Sequence, residues 1–257
     1  MLAERWESFD VSALYYDLLR GDDDQTDVGH RLVGPGDVVV EIGAGSGRLA
    51  VELAPVASAV FALEPNQAMR ALMLSHLARH PEALDTVTVL PLAGEDDWVV
   101  AGAALPPPGS VDVILLFGVI HMLEPAQRRA VFQNVGRWLA DQGRLAITGV
   151  TDRAEPVDIP LGSVTVGSLV IEGRLRTRQD PDGWQTSVEY VTWCGNEMVS
   201  SESVEYRSHA PVLDTIEREL AVVGLHIIWS GALDGQDVVI ASRDPSDRGI
   251  AALSRTE

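Results

Sequence analysis

The residues best suited to chemistry begin at Glu41-Ile42-Gly43-Ala44-Gly45-Ser46-Gly47, where an apolar run meets glycines at alternate positions. Glycine admits positive φ and lets the backbone approach a ligand without an intervening Cβ. A helix that follows such a loop points its unpaired N–H groups at whatever sits there. This is the layout of a nucleotide-type cofactor site. The spacing departs from the dinucleotide fingerprint G-x-G-x-x-G, because Arg48 stands where the third glycine belongs and the extra glycine is Gly47. Glu41, two positions before the first glycine, would repel a pyrophosphate and suits a cationic or amine-bearing ligand. Glu64 lies 21 positions after Gly43, at the end of the next apolar run. There it can accept both hydrogen bonds of a ribose diol, or cap the helix that follows. His121 is the candidate general base, with a near-neutral pKa, or a structural histidine that bonds a loop.

These groups need elements to hold them. Apolar spacing predicts helices over 5–20 and 26–33 and a strand over 37–42. Ser46 is the expected N-cap of a helix reaching Leu53, and Asn66 that of a helix carrying Met69, Leu72, Met73 and Leu77. Further strands are expected at 58–63, 87–91, 111–116 and 144–150, with a stiff Pro-Pro-Pro turn before the fourth and a Pro125-initiated helix before the fifth. The run Val111-Asp112-Val113-Ile114-Leu115-Leu116 is apolar enough for the centre of a parallel sheet. Ligands bind outside the carboxyl ends of such strands, so Phe117 and Gly118 should border the cofactor. From Thr151 to Ala210 helical periodicity gives way to strand-like runs at 163–171, 174–178, 186–193 and 202–207, with a hairpin turn at Asp180-Pro181-Asp182-Gly183. A helix from Pro211 and strands at 226–230 and 237–242 close the chain. The expected division is therefore a cofactor-binding α/β core over 1–150, a β insertion over 151–210, a completing segment over 211–243 and a tail over 244–257.

The motif Glu41-x-Gly43-x-Gly45-x-Gly47, together with Val111-Asp112-Val113-Ile114 leading to Ile120-His121-Met122-Leu123 and the ending Gly143-Arg144-Leu145, resembles the class I S-adenosylmethionine-dependent methyltransferases of small molecules, including aminosugar N-methyltransferases. The resemblance covers about Ser8 to Ser242. It implies a Rossmann-like α/β fold: a seven-stranded, mostly parallel sheet with helices on both faces, and an antiparallel β lid inserted after the fifth strand. It implies S-adenosylmethionine as cofactor, held by Glu41, Gly43, Ala44, Gly45, Gly47, Glu64 and Pro65. Gly94, Glu95 and Asp96 would meet the adenine, Glu95 through its carboxylate and Asp96 through its amide. Ser8–Leu19 is similar to the family's closing helix, with Tyr15, Tyr16 and Asp17 as the matching residues and Tyr16 the expected cofactor contact. The family usually has a histidine near position 121. The lid would roof the acceptor pocket or pair subunits into a homodimer, and Tyr190, Trp193, Tyr206 and Arg207 are its candidate pocket residues. The acceptor would be a small, natural-product-like molecule methylated on N, O or C.

The bulk composition narrows the alternatives. A chain of 257 residues with 46% hydrophobic content can bury a sizeable core. A formal net charge of −19 argues against nonspecific nucleic-acid binding and against docking on anionic membranes. The lone cysteine, Cys194, leaves no intrachain disulfide and no cysteine-based metal cluster, and no metal site is expected. With no apolar signal segment or membrane-length run, the cytosol is the expected compartment. Three other readings fit the cofactor loop: an NAD-dependent oxidoreductase, which Glu41 and Gly47 oppose; a non-catalytic binding or accessory protein on the same fold, which the intact glycine loop and Glu64 oppose; and an S-adenosylmethionine-binding enzyme of other chemistry.

Overall fold

The computed structural model describes residues 9–19, 24–98, 105–150, 155–180, 183–209 and 211–247. The start of the expected first helix, the central Pro181-Asp182 of the expected hairpin turn and most of the tail lie outside them. The elements are α1 (Asp10–Leu19), α2 (Asp24–Leu32), β1 (Val38–Ile42), α3 (Arg48–Leu53), β2 (Ala59–Leu63), α4 (Gln67–Arg79), β3 (Val87–Leu90), β4 (Val111–Leu116), α5 (Pro125–Trp138), β5 (Leu139–Thr148), β6 (Asp158–Val166), β7 (Leu169–Asp180), β8 (Gly183–Cys194), β9 (Glu197–Ser208), α6 (Leu213–Val222), β10 (His226–Leu233) and β11 (Gln236–Ser242). No helix among the described residues is long and apolar enough to cross a membrane.

The larger sheet has seven strands in the order β10-β11-β5-β4-β1-β2-β3, with β3, β2, β1, β4 and β5 parallel and β11 antiparallel to both its neighbours. Strand alternation builds a core on each face. Val40, Ile42, Phe61, Leu63, Ile114 and Leu116 pack towards Phe132, Val135, Ile216 and Leu220 of α5 and α6. Val39, Val60, Ala62, Val113 and Leu115 pack towards Val28, Leu49, Leu53 and Met73 of α2, α3 and α4. Apolar residues at both parities are what a strand covered on two faces requires. The chain leaves β1 for β2 on one side while β4 lies on the other, so the crevice opens at the carboxyl ends of β1 and β4.

The smaller sheet is an antiparallel meander, β6-β7-β8-β9, inserted between β5 and α6. Its inner face takes α1, through Leu19 against Ile171, Val188 and Tyr190. Tyr15 stacks on Tyr190 with ring centroids 4.6 Å apart. Gly173 makes room for this contact, since a Cβ there would come within 2.8 Å of Leu19 Cδ1. Helix α1 is thus held between the two sheets.

Three local expectations are corrected. The run 163–171 is two strands, because Gly167, at φ 62°, turns the chain between Val166 and its partner Leu169. The β-branched residues on both sides mask that turn in the sequence. Strand β5 starts at Leu139, directly after α5 and ahead of the expected start at 144, so Gly143 lies inside it. A Cβ at Gly143 would come within 2.7 Å of the Val111 carbonyl oxygen, so this glycine permits close strand approach. Ser46 does not cap α3; the N-cap is Gly47, at φ 76°, and the Ser46 hydroxyl is used elsewhere. By contrast Asn66 caps α4, its Oδ1 accepting from the Met69 amide at 2.8 Å.

Gly47 is a packing position. A Cβ on it would stand 2.2 Å from Met73 Cγ, and its left-handed backbone disfavours any L side chain. Gly47→Ala is therefore expected to lower unfolding free energy by about 1–3 kcal/mol, read as a shift in the urea midpoint with an unchanged slope.

Candidate functional site

A cavity of about 350 Å³ opens at the carboxyl ends of β1, β2 and β4 and runs beneath α1 and the four-stranded sheet. Its floor is the turn after β1. Gly43 and Gly45 both have positive φ, 72° and 56°. The amides of Gly43 and Ala44 donate to the Leu63 carbonyl at 2.8 and 3.0 Å, which ties this turn to the end of β2. A Cβ on Gly43 would lie 2.4 Å from Val119 Cγ2. On Gly45 it would point at Tyr16, whose hydroxyl oxygen would be 3.7 Å away.

Glu64 ends β2 and borders this floor, 7% exposed. Its Oε2 accepts from the Gly45 amide at 2.8 Å and its Oε1 from the Asn66 amide at 2.7 Å. Each oxygen keeps a second lone pair. Burial pushes the carboxyl above the ordinary glutamate range, and the two amides and the Arg70 charge offset part of that rise. Arg70 also donates to the carbonyls of Glu64 and Pro65 at 2.9 and 2.7 Å, bracing the strand end.

The adjoining wall is the segment after β3. Gly94 and Glu95 line the cavity. Gln127 Nε2 donates to Glu95 Oε1, which sets the carboxylate from α5. Asn134 Nδ2 donates to the Gly94 and Asp96 carbonyls, and buried Trp98 Nε1 donates to the Gly94 carbonyl. Asp96 stands behind this wall. Its amide donates to the Ala93 carbonyl at 3.1 Å and its Oδ2 accepts from the Ala93 amide at 2.7 Å, so the adenine amide expected there is spent on closing the turn.

Consecutive residues of α1 point in different directions, as a helix of 3.6 residues per turn requires. Tyr15 faces the smaller sheet and its hydroxyl donates to Glu202. Burial, then the Glu202 carboxylate, raise its pKa. Tyr16 faces the glycine turn. Asp17 faces the core, where it accepts from the Ser46 hydroxyl at 2.7 Å and lies 3.2 Å from His76 Nε2. Asp10 accepts from Asn66 Nδ2 at 2.7 Å. Helix α1 therefore covers the site by bonds to the two loops that form its floor.

Phe117, Gly118 and His121 follow β4 and line the cavity. Gly118, at φ 67°, donates its amide to Thr148 Oγ1 at 2.9 Å. His121 sits on a single helical turn, Ile120–Met122. Its ring lies 6.2 Å from that of Tyr206, and its carbonyl accepts from the His209 amide at 2.6 Å.

The structure brings together Tyr16, Gly43, Gly45, Glu64, Pro65, Gly94, Glu95, Phe117, Gly118 and His121 around one cavity. Glu41, Ala44, Gly47 and Asp96 are not on its wall. Glu41 is buried on β1 with Ala62 and Leu115 as strand neighbours. Ala44 packs with the α2–α4 core. Of the expected pocket residues in the insertion, Tyr190 and Tyr206 line the cavity; Trp193 and Arg207 do not, being on strand positions of opposite parity. Trp193 donates instead to exposed Glu172 at 3.1 Å. Sequence reasoning missed Leu161 and Leu175 as cavity residues, and Asn66 and His76 as anchors of α1. A lone leucine or histidine carries no local signal of such a role. Among the described residues no cluster could hold a metal ion.

Residues 40–145 match the family model of a methyltransferase domain. No curated protein matches the chain. Several solved structures share its fold. CalS10 of Micromonospora echinaspora, an amino pentose methyltransferase involved in calicheamicin biosynthesis and solved with S-adenosylmethionine (SAM) bound, has a TM-score of 0.69 at 19% identity over 91% of this chain and 97% of its own. DesVI of Streptomyces venezuelae has a TM-score of 0.67 at 14% identity over 91% of this chain and 98% of its own. A SAM-dependent methyltransferase of Clostridium acetobutylicum has a TM-score of 0.64 at 14% identity, over 90% and 97%.

The raised Glu64 pKa has a definite sign. A folded state that holds this proton more tightly than the unfolded chain gains stability below the unfolded value and loses it as pH rises through the folded one. Relative to Glu64→Gln, the native chain should therefore lose thermal midpoint as pH rises above the ordinary glutamate value of about 4.3. Parallel midpoint curves for the two proteins would contradict the burial of an ionisable Glu64.

Proposed function

We propose that this chain, which carries a methyltransferase domain at residues 40–145, transfers a methyl group from S-adenosylmethionine to a small-molecule acceptor in the cavity beneath α1. One observation carries the reading. Glu64 is fixed by the Gly45 amide and faces the cavity from the tip of β2, so a diol-binding carboxylate and a bare backbone turn share one wall. The residues fit the cofactor. Gly43 and Gly45 leave a cradle that side chains would fill, and both Glu64 oxygens retain acceptor capacity towards ribose hydroxyls. The Glu95 carboxylate on the cavity wall supports a contact with an adenine amino group, and Tyr16 lies over Gly45. The site holds no pyrophosphate-binding third glycine, which favours this cofactor over NAD.

When bound, the cofactor supplies an electrophilic methyl group on a sulfonium, which departs as a neutral thioether. The protein's own contribution is alignment and exclusion of water. Tyr15, Tyr190 and Tyr206 roof the cavity and keep solvent from the reacting atoms. His121 stands between the cofactor wall and this roof, where its ring can take the proton lost by an acceptor hydroxyl or ammonium. Ile159 and Val166 on β6 and Met198 and Val199 on β9 are exposed apolar residues on the two edge strands of one sheet. Such edges invite pairing, which supports a second copy of the chain as partner.

Calorimetry tests the cofactor directly. S-adenosylmethionine and S-adenosylhomocysteine should bind and NAD should not, and Glu64→Ala should weaken binding by about 1–3 kcal/mol. Unchanged affinity in that variant would remove the ribose contact. Labelled-methyl transfer into a natural-product extract, followed by mass spectrometry, identifies an acceptor. With it, His121→Ala should reduce kcat by about 10²-fold or more while cofactor affinity stays the same; wild-type turnover would end the general-base role. Sedimentation should return a dimer that Met198→Asp converts to a monomer.

A further inference from the structure

The acceptor end of the cavity differs chemically from the cofactor end. The chain carries 38 carboxylate residues, yet the carboxylates among the described lining residues are Glu64 and Glu95, both on the cofactor wall. The roof is Leu19 of α1 with Leu161, Leu175, Val188, Tyr190 and Tyr206 of the four-stranded sheet. No Asp, Glu, Lys or Arg of that sheet is among the described lining residues. The charges of β7 and β8 are turned the other way: Arg174 and Arg176 pair with Asp158, and Arg176 also with Glu189, all exposed. Strand alternation enforces this, since Leu175 and Val188 sit opposite each other and their charged neighbours must point outwards.

Two of the hydroxyls at this end are engaged as well. Tyr15 donates to Glu202, and Tyr190 donates to Ser12 Oγ at 3.2 Å. These tyrosines present ring faces rather than donors. A polyhydroxylated molecule would leave hydroxyls against leucine and valine, at a loss of about tenfold or more in affinity for each one unpaired. At the roof the Glu202 carboxylate already accepts from the Tyr15 hydroxyl and is not among the described lining residues, so an ammonium would find no carboxylate on that wall. A flat apolar molecule would gain from the aromatic faces and the aliphatic roof.

Building on the methyl-transfer reading above, we infer that the acceptor is an uncharged, largely apolar, ring-bearing molecule whose methyl-accepting hydroxyl or amine points at His121. It is not a charged or polyhydroxylated sugar.

The test uses the full chain and reads binding. S-adenosylhomocysteine is titrated first; if it fails to bind, the methyl-transfer reading falls, and the acceptor assignment with it. The loaded protein is then titrated separately with 2-naphthol and with D-glucosamine. The expected result is at least about tenfold tighter binding of 2-naphthol. Leu175→Asp should weaken 2-naphthol by about tenfold or more while S-adenosylhomocysteine affinity changes less than about twofold. Leu161→Asn, a milder change on the neighbouring strand, should act in the same direction and serves where Leu175→Asp does not fold. Equal or tighter binding of D-glucosamine overturns the inference. So does 2-naphthol binding that neither roof substitution alters, while S-adenosylhomocysteine still binds.

Discussion

The Glu64 carboxylate, bonded at once to the amides of Gly45 and Asn66, is the constraint on which the rest of this structure depends. It joins the turn after β1 to the turn after β2. Without it, the amides of Gly45 and Asn66 would lose their acceptor, and the link between the two turns would rest on the bonds of Gly43 and Ala44 to the Leu63 carbonyl. Burying a carboxylate to do this is costly, and its raised pKa records the cost. Two backbone donors and a nearby arginine keep that cost tolerable. The result is a rigid corner with spare acceptor capacity facing the cavity.

The second constraint is the position of α1. One face bonds the core through Asp10, Asp17 and the loops at Asn66 and Ser46. The other packs on the four-stranded sheet through Leu19 and the Tyr15–Tyr190 stack. Neither sheet alone encloses the cavity. The helix makes the enclosure by contributing to both walls, which places groups of the core and of the insertion within one space. The division of polarity follows: acidic and backbone groups on the core side, aliphatic and aromatic groups on the insertion side.

This arrangement suits chemistry in which the reactive group arrives with the cofactor. The protein then needs little more than alignment, dryness and one group able to take a proton. His121 occupies the junction of the two halves. The acidic surface, with its net charge of −19, is kept away from the apolar roof. Charges on β7 and β8 pair with one another on the outer face instead.

The order of α and β elements, the doubly covered sheet and the antiparallel insertion were legible in the sequence because they rest on local rules. Apolar residues at both parities of β1 and β4, proline at the start of α5 and asparagine at the start of α4 each act within a few residues. The glycine turn was legible for the same reason, as was Glu64, whose distance from it is set by one βαβ unit. Which side chains meet was not. Ser46 looked like a helix cap and instead bonds Asp17; Gly47 looked like a ligand contact and instead admits Met73. Asp96 was expected to offer its amide to the adenine, and only the closed turn revealed that amide committed to the Ala93 carbonyl. Leu161 and Leu175 gave no hint of forming a roof, because that role depends on where a remote sheet packs over a remote helix. Local backbone preference thus determined the elements and the glycine turn. Long-range packing alone decided the walls of the cavity, since those contacts join residues far apart in the chain.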